Sequence, residues 1–179
     1  MPSGFKDVTA VALPLGSGVT RFYKSVHLAD AFAIGLPAGV SSDPDVLARF
    51  IFSQQPAWVG ALMKVRDLLV AGFGLKTGKH LASLADGARA HRVGIFKVYS
   101  VNETEMILGE DDKHLDFRVS VFCAARPAPE AGRQLVLSTV VHCHNRLGRA
   151  YILLIAPFHR WVVKASLRRA ARVGWPSPA

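Results

Sequence analysis

The stretch HNRLGRAYILLIAPFHRWVVK, residues 144–164, decides the fold. Its fourteen residues from Ala150 to Val163 include only two strongly polar ones, His159 and Arg160. A helix that is apolar on nearly every side belongs in a protein core or in a membrane. A membrane span needs about 20 predominantly apolar residues, and here Arg149, Arg160 and Lys164 crowd both ends of a shorter run. A buried helix is the expectation. Pro157 lies inside it, where a proline removes one backbone hydrogen bond and clashes one turn back, at about 3 kcal/mol in an unconstrained helix. Two outcomes follow from that position. The chain kinks or breaks for packing alone, or a carbonyl near Leu153 is left for water or a ligand.

Working back from the helix, the period falls to two. Leu115, Phe117, Val119, Val121 and Cys123 alternate with polar neighbours across His114–Cys123, and Leu137, Thr139 and Val141 do so across Leu135–Cys143. Ile95–Val101 and Thr104–Gly109 read as a hairpin around Asn102-Glu103, and RPAPEAGR (126–133) as a loop. Further upstream, Tyr23–Leu36 has strand character and ends at Pro37. Ser42 or Asp43 can cap a helix with Pro44 in its first turn and Val46, Leu47, Phe50 and Ile51 on one face. Pro56 starts a second helix, with Trp58, Leu62, Val65, Leu68 and Leu69 at helical spacing and Gly72 and Gly74 as stops. Residues 1–20 read as a Gly/Pro-punctuated lead-in and residues 21–175 as one domain. The fold class is therefore α+β: a curved antiparallel sheet wrapped around a long C-terminal helix, with two short helices after the first strand.

Composition narrows the function classes. The chain has 179 residues, half of them hydrophobic and a fifth charged, which suits a globular domain. Two cysteines without CxxC spacing suit a reducing compartment, and the N-terminus lacks the cationic start and apolar core of a signal peptide, so a cytoplasmic location is expected. The net charge is +9, and no acidic residue follows Glu130, whereas Arg133, Arg146, Arg149, Arg160, Lys164, Arg168, Arg169 and Arg172 do. These cations either meet an anionic surface or balance the negative end of a solvated helix. GFGLKTGK (72–79) fails the phosphate-loop spacing, and the aromatics are dispersed rather than laid on a basic strand, so no specific nucleic acid is expected.

Motif by motif, the chemistry is sparse. HCHN (142–145) places His142 and His144 on one face of a strand, too few ligands for zinc, and no metal or other cofactor is expected. A symmetric connection to the preceding strand pairs even residues with even ones. Asp116 and Arg118 then share a face with His142, and His114 with His144. The odd face is apolar and is the natural side for the helix, which leaves this polar set outside unless a register slip turns it inward. His159 is the pocket candidate on the helix, with Tyr151, Arg149 and the adjacent Phe158 beside it. Asp116, Arg118, His144 and Asn145 complete the list of candidate ligand-binding residues. No serine or cysteine nucleophile has a base at diagnostic spacing, so catalytic residues stay unassigned.

The segments HNRLGRAYILLIAPFHRWVVKASLRRAARVGW, HLDFRVSV and FGLKT together resemble the bacterial domain-of-unknown-function family 2867, from roughly Tyr23 to Trp175. The resemblance implies a START-like helix-grip fold, the superfamily of polyketide cyclases and lipid-transfer modules, and carries no settled activity. Three expectations of function follow. The first is a binding module that encloses a hydrophobic small molecule or lipid between sheet and helix. The second is a polyketide-cyclase-like enzyme that uses the same cavity with His159, Tyr151 or an inward-turned Asp116. The third is an interaction module that meets an anionic surface through Arg168, Arg169 and Arg172. Oligomeric state is open.

Overall fold

A computed structural model describes residues 7–56, 58–61, 92–126 and 132–178. Among these, seven strands form one open, curved antiparallel sheet: β1 (Thr9–Val11), β2 (Leu28–Leu36), β3 (Arg92–Val93), β4 (Phe96–Val101), β5 (Glu105–Asp111), β6 (Leu115–Ala125) and β7 (Arg133–Cys143). Their spatial order is β1-β2-β7-β6-β5-β4-β3. The chain enters at one edge, crosses to the other through helix α1 (Pro44–Ser53), and returns strand by strand until β7 closes on β2. Helix α2 (Arg146–Val173) then runs back over one face of the sheet. This is the α+β arrangement of curved antiparallel sheet and long C-terminal helix that the sequence pattern implies, and it agrees with the helix-grip fold that the family resemblance implies.

Parity sets the two faces. Leu115 pairs with Cys143, Asp116 with His142 and Arg118 with Val140 in an unbroken register, so odd residues of β6 and β7 share the helix side. Phe32, Ile34, Leu135, Leu137, Val119, Val121, Met106 and Leu108 form the main core there, closed by Leu47 and Ile51 of α1 and by Val163, Leu167 and Ala170 of α2. A second cluster at the start of α2 joins Leu115, Val141, Cys143 and Ile152, with Leu28 and Tyr151 packed against it. Asp43 caps α1 by accepting from the Asp45 amide at 2.8 Å, with Pro44 in the first turn as expected. Asn145 caps α2 by accepting from the Gly148 amide at 3.0 Å. Gly148 is required at that spot, because a Cβ would lie 2.2 Å from the His114 carbonyl oxygen.

Three expectations change. Helix α2 is continuous through Pro157, and it is not buried all round: Ile152, Val163 and Leu167 face inward, while Leu153, Leu154, Phe158 and Trp161 are exposed. Pro157 itself faces outward, so the carbonyl it leaves unbonded one turn back lies on the side open to water. An all-apolar stretch specifies a helix but not how many of its sides find partners. Second, the strand expected from Tyr23 begins at Leu28. Third, the residues read as a lead-in build part of the sheet layer. Thr9–Val11 pairs with Ala31–Ala33 as β1, and Leu13 and Val19 pack on the face opposite α2. Residues 58–61 are helical after Pro56, as expected. Leu62, Val65, Leu68, Leu69, Gly72, Gly74, the 72–79 segment and most of the 126–133 loop lie outside the described residues.

Candidate functional site between sheet and helix

Two strands under α2, and α2 itself, each contribute one polar residue at the same level. On the helix side of β2, Asp30 falls between Leu28 and Phe32; on β7 its cross-strand partner Thr139 falls between Leu137 and Val141; on α2, His159 falls between Ile152 and Val163. In every case one apolar neighbour belongs to the main core and the other to the second cluster. A polar band therefore crosses the interface where the two apolar clusters meet.

Its centre is a carboxylate. The Asp30 side chain is 9 % exposed, with Arg160 Nε 3.3 Å from Oδ2 and His159 Nε2 3.4 Å from Oδ1. The imidazole lies beside the carboxylate but is not aligned as a hydrogen bond. Among the described residues neither Asp30 Oδ1 nor His159 Nε2, both shielded from solvent, makes one. Unsatisfied buried groups of this kind cost about 1–3 kcal/mol each, and structures retain them mostly where something else satisfies them. A hydroxyl in reach of both atoms can donate to the carboxylate and accept from the imidazole N–H. Sequence reading missed Asp30 and Thr139 as site residues. Parity was the available signal, since Asp30 matches Leu28, Phe32 and Ile34 and so had to point at the helix.

The other expected site residues divide by face. Tyr151 is half-buried in the second cluster, on the helix side. Arg149 and Phe158 are exposed. Asn145 is used as the helix cap, and its Nδ2 donates to His114 Nδ1 at 2.9 Å. Asp116, Arg118 and His144 lie across the sheet from His159, because the β6–β7 register has no slip. Asp116 does not turn inward, and these residues cannot line one pocket with His159.

The far face has its own order. Tyr99 is the extra residue of a bulge between β4 and β5, which re-aims its ring over Arg118 at 3.6 Å. Phe22 and Tyr23 lie against the same guanidinium, at 4.7 and 5.4 Å. Arg118 Nη2 and Tyr99 Oη both donate to Asp111, each at 2.6 Å. Burial opposes the Asp111 charge, but these two donors and the nearby Lys97 together hold its carboxyl below the usual range. The polar ladder is thus packed under the N-terminal segment rather than fully open to solvent. Nearby, His144 meets Asp116 at 3.0 Å, and His142 Nδ1 donates to the Ser25 carbonyl at 2.8 Å. His27 Nδ1 accepts from the Cys143 amide at 3.0 Å, and burial, Arg149 and His142 push its pKa down. Among the described residues no three His, Cys, Asp or Glu side chains converge as metal ligands. Cys123 and Cys143 are buried free thiols; burial pushes Cys123 up to about 11.

Among the described residues, no helix is long and apolar enough to cross a membrane. Residues 22–166 match the family described as "Protein of unknown function (DUF2867)", most of the chain, and the chain belongs to that family. Comparisons with curated proteins and with solved structures gave no match.

Proposed function

We propose that the protein binds a hydrophobic small molecule with a hydroxyl-bearing head between the sheet and α2, in the manner of START-like domains. One observation carries the proposal: a shielded carboxylate and imidazole, Asp30 Oδ1 and His159 Nε2, face each other without a hydrogen bond at the junction of two apolar clusters. Apolar walls with a few convergent polar groups are the usual make-up of a small-molecule site. Asp30 sets the selectivity. A hydroxyl head complements it, whereas a carboxylate head would be repelled by it.

The test is native mass spectrometry of gently purified protein, followed by organic extraction. A one-to-one adduct that extracts as a hydroxylated hydrophobic molecule is expected. An apo mass, combined with no saturable binding of a long-chain primary alcohol, would overturn the proposal. The same contact favours a second reading, acid–base chemistry on the bound molecule, because a carboxylate beside an imidazole orients it as a base. Conversion of the extracted molecule by wild-type protein but not by His159→Ala supports that reading; conversion unchanged in His159→Ala removes it.

A further inference from the structure

The outward side of α2 is apolar where a solvated helix would be polar. Leu153, Leu154, Phe158 and Trp161 are 76, 59, 45 and 57 % exposed. Leu154, Phe158 and Trp161 follow at i, i+4 and i+7, so they stack along one face, and the strip from Leu153 to Trp161 is about 12 Å long at helical rise. Trp58 stacks on Trp161 with ring centroids 4.4 Å apart, which adds a second indole to the patch.

Cations bracket this strip. Arg146 and Arg149 precede it, and Arg168, Arg169 and Arg172 follow it, all exposed. Arg168 and Arg172 continue the face of Trp161 at i+7 and i+11. Arg160 is turned to Asp30, and Lys164 lies over the Phe32 ring at 5.2 Å, so the arginines at the two ends supply the outward charge. The helix contains no acidic residue at all.

We propose that this face of α2 docks on an anionic lipid bilayer, with the apolar strip at the headgroup boundary and the flanking arginines on lipid phosphates. An interfacial helix needs this combination: leucine and aromatic side chains on one face with arginine beside them, and tryptophan is favoured at that depth. Nucleic acid would use the arginines but gives Leu153, Leu154 and Phe158 no apolar phase. A second copy of the chain would oppose like charges at both ends of the strip. The docking stands independently of the ligand site under the helix, because its residues lie on the opposite side of α2.

Flotation of the full chain with vesicles tests it, comparing phosphatidylcholine alone with phosphatidylcholine mixed with phosphatidylglycerol. The chain is expected to float with the anionic mixture, at least tenfold more tightly than with the neutral vesicles, and binding should weaken in high salt. Leu154→Ser with Phe158→Ser, and separately Arg168→Glu with Arg172→Glu, should each cut binding at least tenfold while circular dichroism and thermal unfolding stay unchanged. Brominated lipid in the anionic vesicles should quench tryptophan fluorescence, and less so in Trp161→Phe. Equal binding to neutral vesicles, no binding to the anionic mixture, or anionic binding that both double variants retain would overturn the proposal. So would tighter binding to duplex DNA than to the anionic vesicles at the same salt.

Discussion

Two carboxylates are buried on opposite faces of the same sheet, and they are treated differently. Glu105, on the face away from α2, accepts from the Ser17 and Ser120 hydroxyls and from the Gly18 amide at 2.8 Å. Every donor it meets is aligned, and its network fastens the N-terminal segment to β5 and β6. Asp30, under α2, has Arg160 on one oxygen and an unaligned imidazole at the other. A closed network of polar groups holds structure, whereas an open one leaves capacity to bind. Binding capacity therefore lies not at the most polar part of the sheet, but where polarity is left incomplete among apolar walls.

Replacing each carboxylate by leucine tests that contrast. Glu105→Leu strands Ser17, Ser120 and the Gly18 amide together, and should cost about 3 kcal/mol of stability by chemical denaturation. A cost no larger than that of Asp30→Leu would show that the Glu105 network holds no more structure than the Asp30 contact. Ser120→Ala removes one donor of the three and should cost about 1.5 kcal/mol, the usual range for a hydrogen bond to a charged group. Asp30→Leu should change stability by no more than about 1 kcal/mol, since its Arg160 partner is half exposed and regains water. It should nevertheless abolish retention of the proposed hydroxylated ligand in native mass spectra.

The smallest effect concerns pH. Asp111 titrates lower folded than unfolded, so its contribution to stability is fully present above the ordinary aspartate pKa and is lost as pH falls through the folded value. Wild-type stability should therefore fall more steeply than that of Asp111→Asn in unfolding curves taken below about pH 4. Because the Asp111 side chain is 53 % exposed, solvent screens the effect. Identical slopes would show that the Arg118 cage does not act through its charge.

Much of the sheet was legible because strand parity is a strong code. Alternation in β6 and β7 put Asp116 on one face with His142, which the structure pairs directly, and identified the helix side. The same rule applied to β2 would have found Asp30, yet one carboxylate in a short apolar strand does not announce itself as inward. Tyr99 was beyond alternation, since a bulge re-aims it. Residues 9–23 carried no period of their own, and their place on the sheet depends on Glu105, distant in sequence. The exposed side of α2 was illegible for a different reason. Apolar side chains in a helix look alike whether they meet the sheet, as Leu167 does, or solvent, as Leu154 does.

Selection of a hydroxyl head by Asp30 is tested most directly by calorimetric titration of a long-chain primary alcohol, and of the fatty acid of equal length, into wild-type protein and Asp30→Leu. Saturable one-to-one binding of the alcohol to the wild type is expected, at least tenfold tighter than the acid, with loss of that preference in Asp30→Leu. Binding of the acid as tightly as the alcohol, or an alcohol affinity that Asp30→Leu leaves unchanged, would contradict it.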